Sequence, residues 1–146
     1  MFKNILVPTD GSEQSQGAVR TAVSLAKLHG ARVTGVHVVP DYHLLIAYEG
    51  AFDPVTEERI EEEAKARAAT YLAFIRDTAA SSGVPCETVC ETSDHPYDAI
   101  LHVAEAKGCD LIVMTSHGRK GLAAILLGSE TRKVLTHAKV PVLVVR

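Results

Sequence analysis

Two short stretches of this chain carry residues suited to holding a phosphorylated ligand. The first is Thr115 to Gly118, and the second, after nine intervening residues, is Gly128-Ser129. They follow an apolar run, 111–114, that predicts a buried strand, and they lead into a helix expected to begin near Ser129. Backbone N–H groups point outward at a helix N-terminus, and the helix dipole favours negative charge there. The pattern therefore predicts a site for a nucleotide or another phosphorylated small molecule.

Polar side chains near these stretches extend the prediction. Asp10 ends the first predicted strand, where its carboxylate can accept hydrogen bonds from ribose hydroxyls. The alternative is that it only caps the next helix or closes the Asp10-Gly11 turn. Arg119 and Lys120 add positive charge to the loop before the last helix, unless they are simply solvated. Ser129 can donate both its N–H and its hydroxyl, unless it serves only as a helix cap.

Five apolar runs alternate with helical patterns and must position these residues. The predicted strands are 5–7, 32–39, 86–91, 110–114 and 141–145, and the helices begin at Ser12, Asp53-Pro54, Pro96 and Ser129. Such alternation predicts one α/β domain over residues 1–146, with a doubly wound, five-stranded parallel sheet and helices on both faces. We expect the strand order 3-2-1-4-5, because the most apolar strands, the first and fourth, belong at the centre. Asp10 and the loop 115–129 would then face one crevice at the switch point.

Composition excludes several classes of function. The chain has 146 residues, 47% hydrophobic and 23% charged, a balance typical of an ordered soluble domain. A net charge of −3 gives no reason to expect nucleic-acid binding. There is neither an apolar run long enough for a membrane span nor a signal peptide at the N-terminus, so we expect a cytoplasmic protein.

Catalytic and metal motifs are missing from the sequence. It contains neither a P-loop nor a G-x-G-x-x-G after the first strand, which weakens any case for fast phosphoryl transfer. His117 has no evident orienting partner, and His37 is interpreted as a packed strand residue. We expect the three cysteines to be small buried hydrophobes kept reduced, and no histidine has metal-ligand spacing beside them: Cys86, Cys90 and Cys109.

Two apolar segments suggest interactions beyond the crevice. The last strand, Val142–Val145, is continuously apolar and lies at the predicted sheet edge. An uncovered apolar edge favours pairing with a second copy, so we predict a two-fold homodimer. The loop Tyr42–Phe52 is also unusually apolar, and whether it closes over the crevice stays open.

The sequence resembles the universal stress protein family. The resemblance is carried by the opening ILVPTDGS at 5–12, by His37-Val38, by SHG and LLGS within 116–129, and by KVPVLVV at 139–145. It implies the 3-2-1-4-5 fold and homodimers, and an ATP-binding branch of the family uses the signature G-x2-G-x9-G-[ST]. Thr115 stands here at the signature's first glycine, and Glu130 adds negative charge near the phosphates.

The resemblance also implies which residues contact a nucleotide. Pro8 and Thr9 would border the adenosine pocket, Asp10 would bind the ribose, and the Val38 backbone would bind adenine. Phosphates would lie against Gly118, Gly128, Ser129 and the backbone N–H of Glu130.

The leading hypothesis is a small homodimeric stress sensor or regulator that binds ATP or AMP and an unidentified protein partner. Any Mg²⁺ would be held mainly by the phosphates. One alternative, motivated by Thr115 and Glu130, is a nucleotide-free interaction module acting through the dimer surface and the Tyr42–Phe52 loop. The other is a slow ATP-hydrolysing enzyme.

Overall fold

A computed structural model of the chain describes residues 1–42, 54–117 and 127–146. Strands and helices alternate along it: β1 Asn4–Pro8, α1 Glu13–His29, β2 Arg32–Val39, α2 Pro54–Ser81, β3 Cys86–Thr92, α3 Pro96–Ala106, β4 Leu111–Thr115, α4 Ser129–His137 and β5 Val142–Val145. The bounds of β2 are those predicted, α4 begins at the predicted Ser129, and each of the other strands differs from prediction by one residue at one or both ends. The Tyr42–Phe52 loop falls almost entirely outside the described residues, and so does Asp53.

The strands form one parallel sheet in the predicted order β3-β2-β1-β4-β5. β1 pairs with β2 from Asn4↔Arg32 to Pro8↔Val36, and on its other side pairs with β4 at Ile5↔Leu111. The winding reverses between β1 and β4, so the carboxyl ends of these two strands are neighbours at one edge of the sheet.

Helices cover both faces of the sheet, as predicted. Alternate β1 residues point to opposite sides: Ile5 and Val7 join one core cluster, and Leu6 joins the other. α1 and α2 pack on the first cluster through side chains such as Val19 and Ile75. α3 and α4 pack on the second, so the apolar run of β1 reflects burial on both faces.

Helix α1 begins after Ser12, as predicted. Ser12 is its N-cap, with the side-chain oxygen accepting from Ser15 N, and Gly30 ends it in the left-handed conformation at φ 64°. The buried face of α2 includes Ala64, Leu72 and Ile75, whereas Ile60 and Tyr71 are only half-buried. None of the described helices has the length and apolarity needed to cross a membrane.

The prediction that all three cysteines are buried is wrong for two of them. Only Cys109 is buried, whereas Cys86 is half-buried and Cys90 is exposed on the edge strand β3. All three thiols are unpaired. Loss of contact with water, partial at Cys86 and Cys90, is the main cause that raises the pKa of each thiol above its ordinary value. The thiols are therefore protonated at neutral pH, which lowers their nucleophilicity.

Candidate nucleotide site

The turn between β1 and α1 holds the Asp10 carboxylate in place. Its Oδ1 accepts from the Ser12 backbone N–H at 3.0 Å and also from the Ser12 hydroxyl. The Ser12 hydroxyl oxygen in turn accepts from Ser15 N at 3.2 Å. The capping and turn-closing role that the sequence left open for Asp10 is therefore present. It fixes the carboxylate at the carboxyl end of β1.

Thr9 is buried and uses its polar groups inside the protein. Its Oγ1 accepts from Gly11 N and lies 3.1 Å from the Ser15 hydroxyl. Its backbone N–H donates to Val36 O at 2.9 Å, and its carbonyl accepts from His37 Nδ1 at 2.8 Å. Thr9 and the half-buried Pro8 thus form a rigid wall, and His37 is packed as predicted.

Tyr71 of α2 packs against Gly11 in the same turn, a contact that the sequence did not predict. Gly11 has φ +77°, and a Cβ added there would lie 2.2 Å from Tyr71 Cε1. The ring also stands edge-on to His37, with centroids 5.2 Å apart at 79°. The helical pattern placed Tyr71 on α2, but its contact with Gly11 depends on tertiary packing across 60 positions of the chain.

Val38 lies at the carboxyl end of the neighbouring strand β2. It is half-buried and packs against the core cluster on the α3–α4 face. It stands two residues beyond Val36, which pairs with Pro8 at the end of β1. The backbone proposed to meet adenine is therefore beside the β1 end.

Thr115 suits its position at the end of β4. It is the last residue of the strand and pairs with Val145 of β5. Its hydroxyl donates to the His117 carbonyl at 2.9 Å and lies 3.3 Å from His117 N. A β-branched residue fits this extended backbone well, so the conformation at this position does not require the signature's glycine.

The N-terminus of α4 is pressed directly onto the end of β4. Gly128 N donates to the Ser116 carbonyl at 2.8 Å, and Thr131 Oγ1 donates to the Thr115 carbonyl at 3.0 Å. A Cβ on Gly128 would lie 3.0 Å from the Ser116 carbonyl oxygen. Gly128, not Ser129, is the N-cap, and it makes no side-chain cap bond. Ser129 is the exposed first helical residue, so its capping alternative is wrong.

The Glu130 side chain turns away from the helix end. Its Oε2 accepts from the Tyr97 backbone N–H of α3 at 2.9 Å, and its Oε1 lies 3.0 Å from Lys133 Nζ. Lys133 Nζ is also 5.3 Å from the centre of the Tyr97 ring. Neighbouring groups thus partly compensate the negative charge that seemed to oppose phosphate binding.

His117 has a partner that the sequence reasoning missed. Its Nδ1 lies 2.9 Å from the hydroxyl of the preceding Ser116. Among the described residues, no cluster of three His, Cys, Asp or Glu side chains could hold a metal ion. Gly118 and Arg119, with the rest of the loop up to 126, lie outside the described residues.

A cleft of about 370 Å³, called here the α1–α2 cleft, opens between α1 and α2 beside the β1–α1 turn. It is lined by Thr9, Gly11, Gln16, Thr70, Tyr71, Ala73, Phe74 and Asp77. Its one charged lining residue among those described is Asp77, which repels anions. The cleft is therefore poorly suited to phosphate groups, in contrast to the N-terminus of α4.

Five of the predicted site residues therefore lie close to the switch point. Three follow or end neighbouring strands, namely Asp10, Val38 and Thr115, and two begin the helix that packs on β4, namely Gly128 and Ser129. These features define a doubly wound α/β protein with the N-terminus of a helix next to its topological switch point.

The model of the universal stress protein family matches residues 1–146, and the chain belongs to that family. A universal stress protein of Thermus aquaticus is 37% identical over 149 residues, covering 100% of both chains. The solved structure of MJ0577, a universal stress protein of Methanocaldococcus jannaschii, is 32% identical with a TM-score of 0.79 and covers 99% of this chain and 96% of that one. A universal stress protein solved in complex with cAMP is 25% identical with a TM-score of 0.63 and covers 99% and 97%.

Proposed function

We propose that this protein binds an adenine nucleotide in the crevice between the carboxyl ends of β1 and β4. The observation that carries the proposal is the seating of α4 on the end of β4, where Gly128 N donates to the Ser116 carbonyl at 2.8 Å. The first N–H groups of α4 have no partner within their own helix, and an anion there is stabilised by about 0.3–1 kcal/mol at an exposed site.

The two ends of the crevice have different chemistry. At the β1 end, Asp10 would accept from ribose hydroxyls while Pro8, Thr9 and the Val38 backbone border the base. At the α4 end, phosphate oxygens would accept from the N–H groups of Ser129 and Glu130 and from the Ser129 hydroxyl, while Gly128, whose N–H already donates to Ser116, would let the backbone approach the phosphates. Thr115 at the end of β4, with Gly118 and Arg119, would complete that end of the site. The proposal thus separates ribose recognition from phosphate recognition.

The comparisons support a nucleotide but leave its kind open. The relative solved with cAMP carries an adenine nucleotide on the same fold. AMP and ATP both remain ligands to test, with Mg²⁺ held mainly by the phosphates of ATP. Two observations weaken the case for the nucleotide-free alternative: Thr115 has strand geometry, and the Glu130 carboxylate accepts from Tyr97 N–H of α3.

We further propose that binding regulates a stress response rather than driving turnover. The sequence contains no P-loop, so any ATP hydrolysis would be slow. A cytoplasmic location and an unidentified protein partner stay predictions of this proposal.

The two sheet edges support a homodimer through β5. The described edge strand β5 is apolar, and its Leu143 is 39% exposed. The opposite edge strand β3 carries Glu87 and Glu91, and charged edges discourage strand pairing. A two-fold dimer would cover the apolar edge and leave the charged edge in water.

Calorimetric titration with AMP and adenosine tests the nucleotide site. Ser129→Ala should weaken AMP binding about fivefold, the loss of one hydrogen bond, and leave adenosine binding unchanged. Asp10→Asn should weaken AMP and adenosine by similar factors, because both ligands carry the ribose. The matched controls are Ser24→Ala, an exposed serine of α1, and Asp77→Asn in the α1–α2 cleft.

Each outcome of this titration is informative. If Asp77→Asn changed the AMP dissociation constant more than Asp10→Asn does, the nucleotide would bind in the α1–α2 cleft instead. The absence of any binding at millimolar AMP and ATP would overturn the proposed function.

A further inference from the structure

Helix α3 has an incomplete N-terminal cap of its own. Its N-cap residue His95 makes no side-chain cap bond, and Pro96 at the first helical position has no N–H. Tyr97 N–H is therefore an early helical donor that needs a partner from outside α3.

Glu130 supplies that partner from a different helix. Its Oε2 accepts from Tyr97 N at 2.9 Å, and the carboxylate lies at the positive end of the α3 dipole. Lys133 holds the other oxygen at 3.0 Å and places its ammonium over the Tyr97 ring. Both partners of Glu130 thus lie on the α3 side of α4.

The same residue belongs to the first turn of α4, the turn that packs on β4. Gly128 and Thr131 tie this turn to the carbonyls of Ser116 and Thr115, and Glu130 ties it to α3. The first turn is therefore fixed on two sides, by the strand end and by the N-terminus of a neighbouring helix.

We propose that Glu130 is a positioning residue for phosphate recognition: by capping α3 it holds the N–H groups of the first turn of α4 in the direction of the phosphates. This inference rests on the proposed function. Although Glu130 is acidic, it promotes phosphate binding, because Tyr97 N–H and Lys133 partly neutralise its carboxylate and its backbone N–H is one of the early helical donors with no partner inside α4. The nucleotide would contact its backbone and not its carboxylate.

Three variants separate positioning from charge. Glu130→Ala removes the cap, whereas Glu130→Gln removes the charge and keeps an oxygen that accepts from Tyr97 N–H. Glu105→Ala is the matched control, because this exposed glutamate of α3 forms only a 3.4 Å pair with Lys139. The readout is the dissociation constant of adenosine divided by that of AMP. This ratio isolates the contribution of the phosphate, because the two ligands differ only in that group.

We expect Glu130→Ala to lower this ratio about fivefold by weakening AMP binding alone. Glu130→Gln and Glu105→Ala should keep the ratio within about twofold of the unsubstituted protein, close to the error of such comparisons. An unchanged or higher ratio in Glu130→Ala would overturn the inference, since a higher ratio means simple charge repulsion. Equal weakening of AMP and adenosine would also overturn it, because that is a general structural effect.

Hydrogen exchange of backbone amides distinguishes failure of the positioning role of Glu130 from failure of the proposed nucleotide binding. Glu130→Ala should speed exchange of the Tyr97 N–H, and Glu130→Gln should do so much less. Suppose that the variants change Tyr97 N–H exchange as expected but the unsubstituted protein binds no AMP. The cap would then exist without a phosphate site, and both proposals would be overturned. Binding of AMP with no change in Tyr97 exchange would overturn only the positioning role.

Discussion

Replacing Gly11 with alanine tests how tightly the β1–α1 turn is built. Gly11 has φ +77°, a conformation that costs an L-residue about 1–2 kcal/mol. The new Cβ would lie 2.2 Å from Tyr71 Cε1, which forces the ring or the turn to move. Overpacking of this kind costs about 1–3 kcal/mol. The free energy of unfolding should therefore fall by about 2–5 kcal/mol.

Gly17→Ala is the matched control for this substitution. Gly17 lies inside α1, and a Cβ there would meet nothing within 4 Å. Alanine is favoured over glycine in a helix interior by about 1 kcal/mol, so this variant should be more stable than the unsubstituted protein. The same chemical change thus has opposite signs at two positions six residues apart.

Urea unfolding followed by circular dichroism gives both free energies. In a Tyr71→Ala background, Gly11→Ala should cost only the conformational part, about 1–2 kcal/mol, because the ring is gone. A Gly11→Ala variant as stable as the unsubstituted protein would refute the reasoning. An equal cost of Gly11→Ala with and without Tyr71 would refute the contribution from packing.

The remaining predictions concern the sheet edge and a thiol. Leu143→Glu should shift the proposed dimer to a monomer in light-scattering measurements, whereas Leu135→Glu, an equally exposed leucine of α4, should not; a monomeric unsubstituted protein would contradict this. Burial raises the pKa of the Cys109 thiol above its ordinary value of 9.0, so the unfolded chain loses that proton first and stability falls as pH rises above about 9. Cys109→Ala should make this fall shallower in urea unfolding at successive pH values, and an unchanged slope would contradict the prediction.

The fold was largely predictable because its signals are local. The apolar runs of β1 and β4 mark strands buried on both faces, and that burial fixes their central places in the sheet. Ser12, Gly30 and Pro96 mark helix ends through capping chemistry that needs no distant partner. The topology then followed from placing the most apolar strands at the centre.

The site was predictable in position but not in its contacts. The ends of β1 and β4 were expected to be neighbours, and they are. The hydrogen bond from Tyr97 N–H to the Glu130 carboxylate was not predictable, because it depends on how α4 packs against α3. The exposure of Cys90 was missed because the prediction relied on how often cysteines are buried, whereas Cys90 lies on the polar edge strand β3.

A crystal structure of the protein grown with AMP tests the central claim most directly. The account predicts ribose at the Asp10 carboxylate and phosphate oxygens within about 3 Å of the N–H groups that begin α4, the distance of an N–H···O bond. AMP bound in the cleft beside Asp77, or its phosphate remote from Gly128 and Ser129, would contradict the account.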